Sequence, residues 1–141
     1  FGFGIPMAFA AITGYIAPIA WILLLANMFW AIAYDTEYAM VDREDDLKIG
    51  IKSSAITFGR FDVVAVMFCY ALTLLLLVLG GKSLSMSYVY YMGLAVAAGI
   101  AVYHYFLIRK REQVKCFKAF LHNSWFGFAI CMGLGAHYLI R

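Results

Sequence analysis

The chain alternates long uncharged blocks with two short charged ones. Residues 1–34 contain no charged side chain, too many for one crossing, because about 20 residues span a ~30 Å hydrocarbon core. Thr13-Gly14 and Pro18 interrupt the block. The pattern therefore predicts the end of one transmembrane helix over 1–12 and a second helix over about 18–41. Further uncharged runs of 19, 26 and 22 residues occupy Val63–Gly81, Ser83–Ile108 and Ala119–Ile140. They predict spans at about 63–81, 87–108 and 121–140. Gly80-Gly81 and the stretch Ser83-Leu84-Ser85-Met86-Ser87 read as a short polar turn. The expected fold class is an all-α membrane protein with about four transmembrane helices plus the end of a fifth, joined by polar loops at 42–62 and 109–118. The start, Phe-Gly-Phe-Gly without Met or a basic n-region, does not resemble a signal peptide and is read as part of a longer protein.

Composition agrees with that pattern. Hydrophobic residues make up 65% of the 141, charged residues only 13%, and mean hydropathy is +0.85. Soluble domains carry about 45–50% apolar and about 25% charged residues, so the lipid bilayer is the expected solvent. The net charge of +3 is small and the basic residues form no stripe among exposed aromatics, so nucleic acid is not an expected partner. Placement of those charges is more informative. Nine of the eleven Lys and Arg lie in 42–62 and 109–118, and only Lys82 and Arg141 lie elsewhere. Alternating helices put both segments on one side, which the positive-inside rule makes cytoplasmic. Arg109, Lys110, Arg111, Lys115 and Lys118 are read as orientation and headgroup contacts.

Other polar residues are read conservatively. Cys69, Cys116 and Cys131 are odd in number and far apart, which supports neither a disulfide framework nor a zinc site. His104, His122 and His137 lack ligand spacing and are read as hydrogen-bonded helix residues. Asn27 is either an interhelical hydrogen bonder or a substrate contact.

The acids are gathered. Asp35, Glu37, Asp42, Glu44, Asp45, Asp46 and Asp62 fall within 28 residues, leaving only Glu112 outside. Asp42 and Asp46, four apart, share one face if the helix continues, and Asp35 lies on that face at a deeper level. Like charges at this spacing repel, and acids near a helix C-terminus oppose its dipole. An unpaired acid such as Asp35 costs up to about 2.5–3.5 kcal/mol at mid-membrane. A hard divalent cation such as Mg²⁺ offsets these costs and is commonly held by one or two carboxylates plus phosphate oxygens. The sequel Lys48-Ile49-Gly50-Ile51-Lys52-Ser53-Ser54 adds cations and hydroxyls suited to a diphosphate. The plainer alternatives are a solvated loop and a non-enzymatic divalent-cation-binding membrane protein. Asp62 is read as the cap of the helix beginning near Val63.

The stretch Tyr34-Asp35-Thr36-Glu37-Tyr38-Ala39-Met40-Val41-Asp42-Arg43-Glu44-Asp45-Asp46-Leu47-Lys48-Ile49-Gly50-Ile51-Lys52-Ser53 closely resembles the second aspartate-rich motif of the UbiA-type intramembrane prenyltransferases. Gly4-Ile5-Pro6-Met7-Ala8-Phe9-Ala10 and Cys116-Phe117-Lys118-Ala119-Phe120 also fit the family, so the resemblance spans nearly the whole chain. It implies the C-terminal part of a nine-helix bundle with a lateral, lipid-open cavity. The implied reaction is Mg²⁺-dependent transfer of a polyprenyl group from polyprenyl diphosphate to the ring of 4-hydroxybenzoate in ubiquinone biosynthesis; another aromatic acceptor is the alternative. Asp42 and Asp46 would hold the metal, with Asp35 either a further site acid or a partner for a basic residue elsewhere. Lys48 and Lys52 would contact diphosphate. Tyr34 and Tyr38 would either face the allylic cation or pack in the aromatic belt. The family's first motif, of the form N-D-x-x-D-x-x-x-D, does not occur in these residues. The chain is therefore expected to be inactive alone and to depend on the remaining N-terminal helices of the same enzyme. The implied location is the bacterial inner membrane, ahead of the mitochondrial one, with the site facing the cytoplasm.

Overall fold

The computed structural model describes residues 2–140. Phe1 and Arg141, which belong to the expected first helix and to the end opposite the basic segments, lie outside the described residues. The elements are α1 (Gly4–Thr13), α2 (Pro18–Ile49), α3 (Ser54–Phe58), a 3₁₀ turn (Gly59–Phe61), α4 (Asp62–Ser83), α5 (Tyr88–Ile108) and α6 (Gln113–Ile140). Three helical segments, Pro18–Ile49, Ser54–Ser83 and Tyr88–Ile108, are long and apolar enough to cross a membrane. The expected fourth span at 121–140 is helical within α6, but α6 is not among those three; it carries Lys115, Lys118, His122, Asn123 and His137.

Local chemistry sets the helix ends. Gly14 closes α1 at φ +76°, its N–H donating to the Ala10 carbonyl at 2.9 Å, a left-handed position that glycine occupies without steric cost. Pro18 then starts α2 at the first helical position, where its missing N–H is not needed. No helix breaker follows until Gly50, also at φ +76°. The 32-residue α2 is about 48 Å long at 1.5 Å per residue, well beyond a ~30 Å core. Its last turns therefore extend past the hydrocarbon. The expected loop at 42–62 is thus corrected: 42–49 remain helical, and only 50–53 separate them from α3. Residues such as Arg, Glu, Leu and Lys are good helix formers, so a change from apolar to charged did not end the helix. Likewise α6 begins at Gln113, shortening the expected loop at 109–118.

Packing is closest where side chains are smallest. α5 runs along α6, and α2 along α4. At the α5/α6 crossing Gly93 faces Gly133 so closely that a Cβ on Gly133 would lie 2.9 Å from the Gly93 Cα and 3.0 Å from the Tyr90 carbonyl oxygen. Lipid offers apolar helices no hydrophobic gain from associating, so such close backbone approach carries much of the association. Tyr70, Phe126 and Ile108 are fully buried between the helices, while Phe68, Leu75, Val96 and Phe128 stand more than half exposed around the outside.

Candidate functional site

The last three turns of α2 carry the aspartate motif. Asp42 and Asp46 are half-buried, one helical turn apart, whereas Asp35 and Asp45 are exposed. Among the described residues, neither Asp42 nor Asp46 takes part in a side-chain hydrogen bond or ion pair. Lys48 turns to Asp45 instead, with Nζ 2.9 Å from Oδ1. That hydrogen bond, and then the Asp45 charge, raise the Lys48 pKa above the ordinary lysine value. Both side chains are about 70% exposed, so the pair is free to exchange for a stronger anion. Lys52 is exposed beyond Gly50, and the Ser53 hydroxyl beside it is buried without a partner among the described residues. Tyr34 and Tyr38 share one side of α2 and pack on Phe120 of α6, with ring centroids 6.5 and 5.0 Å away.

Among the described residues no group of three or more His, Cys, Asp and Glu side chains converges as a set of metal ligands. Two unpaired carboxylates one turn apart fit Mg²⁺ in a different way: hard oxygen donors, few in number, with the remaining positions left to water and phosphate oxygens. They do not suit zinc, which takes four ligands rich in His and Cys.

Next to the motif lies a denser arrangement that the sequence reading missed. Asp62 is fully buried at the first position of α4. Arg43 Nη1 donates to it at 3.0 Å, and Arg111 donates through Nε at 3.0 Å and Nη2 at 2.7 Å. The expected capping role of Asp62 is corrected: Phe61 occupies the N-cap position and no side chain caps α4, Asp62 being its first residue and accepting only from the adjacent Val63 N–H at 2.7 Å; its main partners are two arginines. Arg111 also reaches the Arg60 carbonyl at 2.9 Å and sits in the left-handed region at φ +55°. Its reading as a headgroup contact is corrected accordingly, because the guanidinium joins the α5–α6 connection to α4. One residue beyond the following Glu112, Gln113 Nε2 donates to the Val41 carbonyl at 3.0 Å. The clue to Asp62 was an acid adjoining an apolar run with no cation at helical spacing beside it; its partners are 19 and 49 residues away.

Deeper in the bundle, a second polar group joins four helices. Glu37 of α2 is fully buried. Its Oε1 accepts from the Tyr70 hydroxyl at 2.9 Å, and its Oε2 from Asn123 Nδ2 at 3.3 Å. Asn123 also donates to the Tyr70 oxygen, and its own Oδ1 accepts from Trp30 Nε1 at 2.5 Å. With the phenol proton directed at Glu37, His104 Nδ1 at 2.9 Å is the donor to the Tyr70 oxygen. His104 Nε2 meets His122 Nδ1 at 3.1 Å. The sequence reading of these histidines as hydrogen-bonded helix residues agrees with this geometry. The burial of Glu37, two positions beyond the exposed Asp35, went unrecognised.

The chain belongs to the UbiA prenyltransferase family, whose family model matches residues 1–129. It is 66% identical over 140 residues to the 4-hydroxybenzoate octaprenyltransferase of Azoarcus sp. (strain BH72), covering 99% of this chain and 49% of that protein. The protein of the same name in Thiobacillus denitrificans (strain ATCC 25259 / T1) is 63% identical over 141 residues, covering 100% of this chain and 48% of the relative. That of Paraburkholderia phytofirmans (strain DSM 17436 / LMG 22146 / PsJN) is 62% identical over 138 residues, with 98% and 48% covered. The chain thus spans about half the length of the curated relatives it matches. No solved structure matches it.

Proposed function

We propose that the intact protein transfers a polyprenyl group, octaprenyl by the names of its relatives, from its diphosphate to the ring carbon ortho to the hydroxyl of 4-hydroxybenzoate, replacing the hydrogen of that carbon and releasing diphosphate and a proton. One observation carries the reading: the half-buried Asp42 and Asp46 stand one turn apart, without a cationic partner among the described residues, where α2 leaves the hydrocarbon. Asp42 and Asp46 would hold Mg²⁺. When bound, the ion supplies positive charge to the diphosphate oxygens as the allylic C–O bond breaks. Lys48 exchanges its exposed contact with Asp45 for the diphosphate, and Lys52 adds a second cation from beyond Gly50. Tyr34 and Tyr38, aligned by Phe120, turn π-surfaces toward the prenyl carbon, where positive charge develops. Asp35 is a further acid on the same helix, deeper toward the lipid. The remaining N-terminal helices of the same enzyme complete the site.

The apolar helices and the distribution of basic residues support an integral protein of the bacterial inner membrane, with 50–61 and 109–112 toward the cytoplasm. In the full-length enzyme, Asp42→Ala and Asp46→Ala are each expected to lower formation of prenylated 4-hydroxybenzoate at least ~100-fold with Mg²⁺ present, within the range of removing a main electrostatic contributor. Near-normal turnover in both would overturn the assignment. Offering other aromatic acceptors and identifying the products tests the alternative acceptor class; a faster reaction with one of them would replace 4-hydroxybenzoate as the substrate.

A further inference from the structure

We propose that Asp62, Arg111 and Gln113 are positioning residues for Asp42: they hold its two chain neighbours, Arg43 and Val41, and so set the affinity of the carboxylate pair for its cation. The inference rests on the metal role of Asp42 and Asp46 given above.

The end of α2 needs such an anchor. Its last turns lie beyond the hydrocarbon, where helix ends fray and where Asp42 and Asp46 repel each other at i,i+4. Two contacts from elements distant in sequence bracket Asp42. On one side, Gln113 at the start of α6 donates to the Val41 carbonyl at 3.0 Å. On the other, the buried Asp62 at the start of α4 accepts from Arg43 at 3.0 Å. Arg111 locks Asp62 in turn through Nε and Nη2, and ties the 3₁₀ turn through the Arg60 carbonyl. Arg111 adopts φ +55° to do so, a conformation that a residue with a Cβ holds only where its surroundings impose it.

The arrangement also controls charge. Arg43 lies three residues from Asp46 and next to Asp42, close enough on a helix to pair with Asp46 and compete with a cation. Asp62 directs that guanidinium away from the pair. Groups that orient metal ligands from outside the coordination shell commonly change metal affinity about 10–100-fold when removed.

The experiment uses the full-length enzyme and Mn²⁺ as the probe, with free Mn²⁺ followed by electron paramagnetic resonance during titration. Asp62→Asn is expected to raise the Mn²⁺ dissociation constant about tenfold and to raise the half-saturating Mg²⁺ concentration for product formation in parallel. Asp62→Glu, which restores a carboxylate, recovers part of both. Gln113→Leu removes an exposed side chain, leaves the arginine clamp in place, and is expected to raise the Mn²⁺ constant about threefold, below the usual range for such groups. Should Asp62→Asn fail to fold, Gln113→Leu decides alone. Folded variants that bind Mn²⁺ as tightly as the unaltered enzyme, whatever their thermal stability, reduce the clamp to a structural one and overturn the proposal. Undiminished Mn²⁺ binding in Asp42→Asn overturns instead the metal assignment on which it rests.

Discussion

At the residue scale, the polar side chains divide by what surrounds them rather than by type. Asp45 and Asp62 are both aspartates at the same end of the bundle, yet one is mostly exposed beside an exposed ammonium and the other is sealed beneath two guanidinium groups. Glu37 and Asp35, two residues apart, show the same contrast. Asn123 is the residue on which the buried network turns, because its amide donates to Glu37 and Tyr70 and accepts from Trp30. Asn123→Leu leaves all three without that partner. Loss of a partner to buried polar groups costs about 1–3 kcal/mol each, so the variant is expected to unfold several degrees lower in detergent. An unchanged melting temperature would show that the network contributes nothing net. By contrast, Lys48→Met breaks only an exposed pair and is expected to leave the melting temperature unchanged while raising KM for the prenyl diphosphate. A lowered melting temperature with unchanged KM would remove Lys48 from the substrate site.

At the element scale, the glycines discriminate between helix faces. The α5/α6 crossing admits no Cβ at Gly133, which would press on the backbone of α5. Overpacking of this kind costs about 1–3 kcal/mol, so Gly133→Ala is expected to lower the melting temperature. Gly99, on α5 as well, has open space where a Cβ would go. Gly99→Ala is expected to be neutral or stabilising by up to about 1 kcal/mol, since alanine is the better helix former. If both variants melt alike, the closeness of the crossing is not what stabilises it. Element starts were legible in the sequence wherever a local feature sets them: Pro18 opens α2, and the apolar runs locate α4 and α5 to within a residue or two. Element ends were less legible. The sequence predicts the end of this span at about 41, and α2 continues eight residues beyond that point until Gly50 provides a left-handed cap.

For the whole molecule, charge placement sets direction across the membrane. In the orientation proposed above, 109–112 is cytoplasmic and the turn at 84–87 lies on the opposite side. In a cysteine-free background of the full-length enzyme, Ser85→Cys is expected to react with a membrane-impermeant maleimide added to intact spheroplasts, and Lys110→Cys only after lysis. The reverse labelling would invert the topology and place the aspartate motif outside.

The sequence by itself determined the all-α membrane class, the approximate positions of the long helices and the family. These follow from composition, from the lengths of the uncharged runs and from residues adjacent in the chain, all of which are local properties. Tertiary structure alone decided how the buried charges are paired. The partners of Asp62 lie 19 and 49 residues away, and those of Glu37 lie 33 and 86 away. Burial of a carboxylate depends on which helices pack around it, and pairing across helices leaves no periodic trace along any one of them. That is why the spacing of Asp42 and Asp46 was legible along the chain, while the contacts that Asp62 and Gln113 make with the neighbours of Asp42 emerged only when the ends of α2, α4 and α6 were seen together.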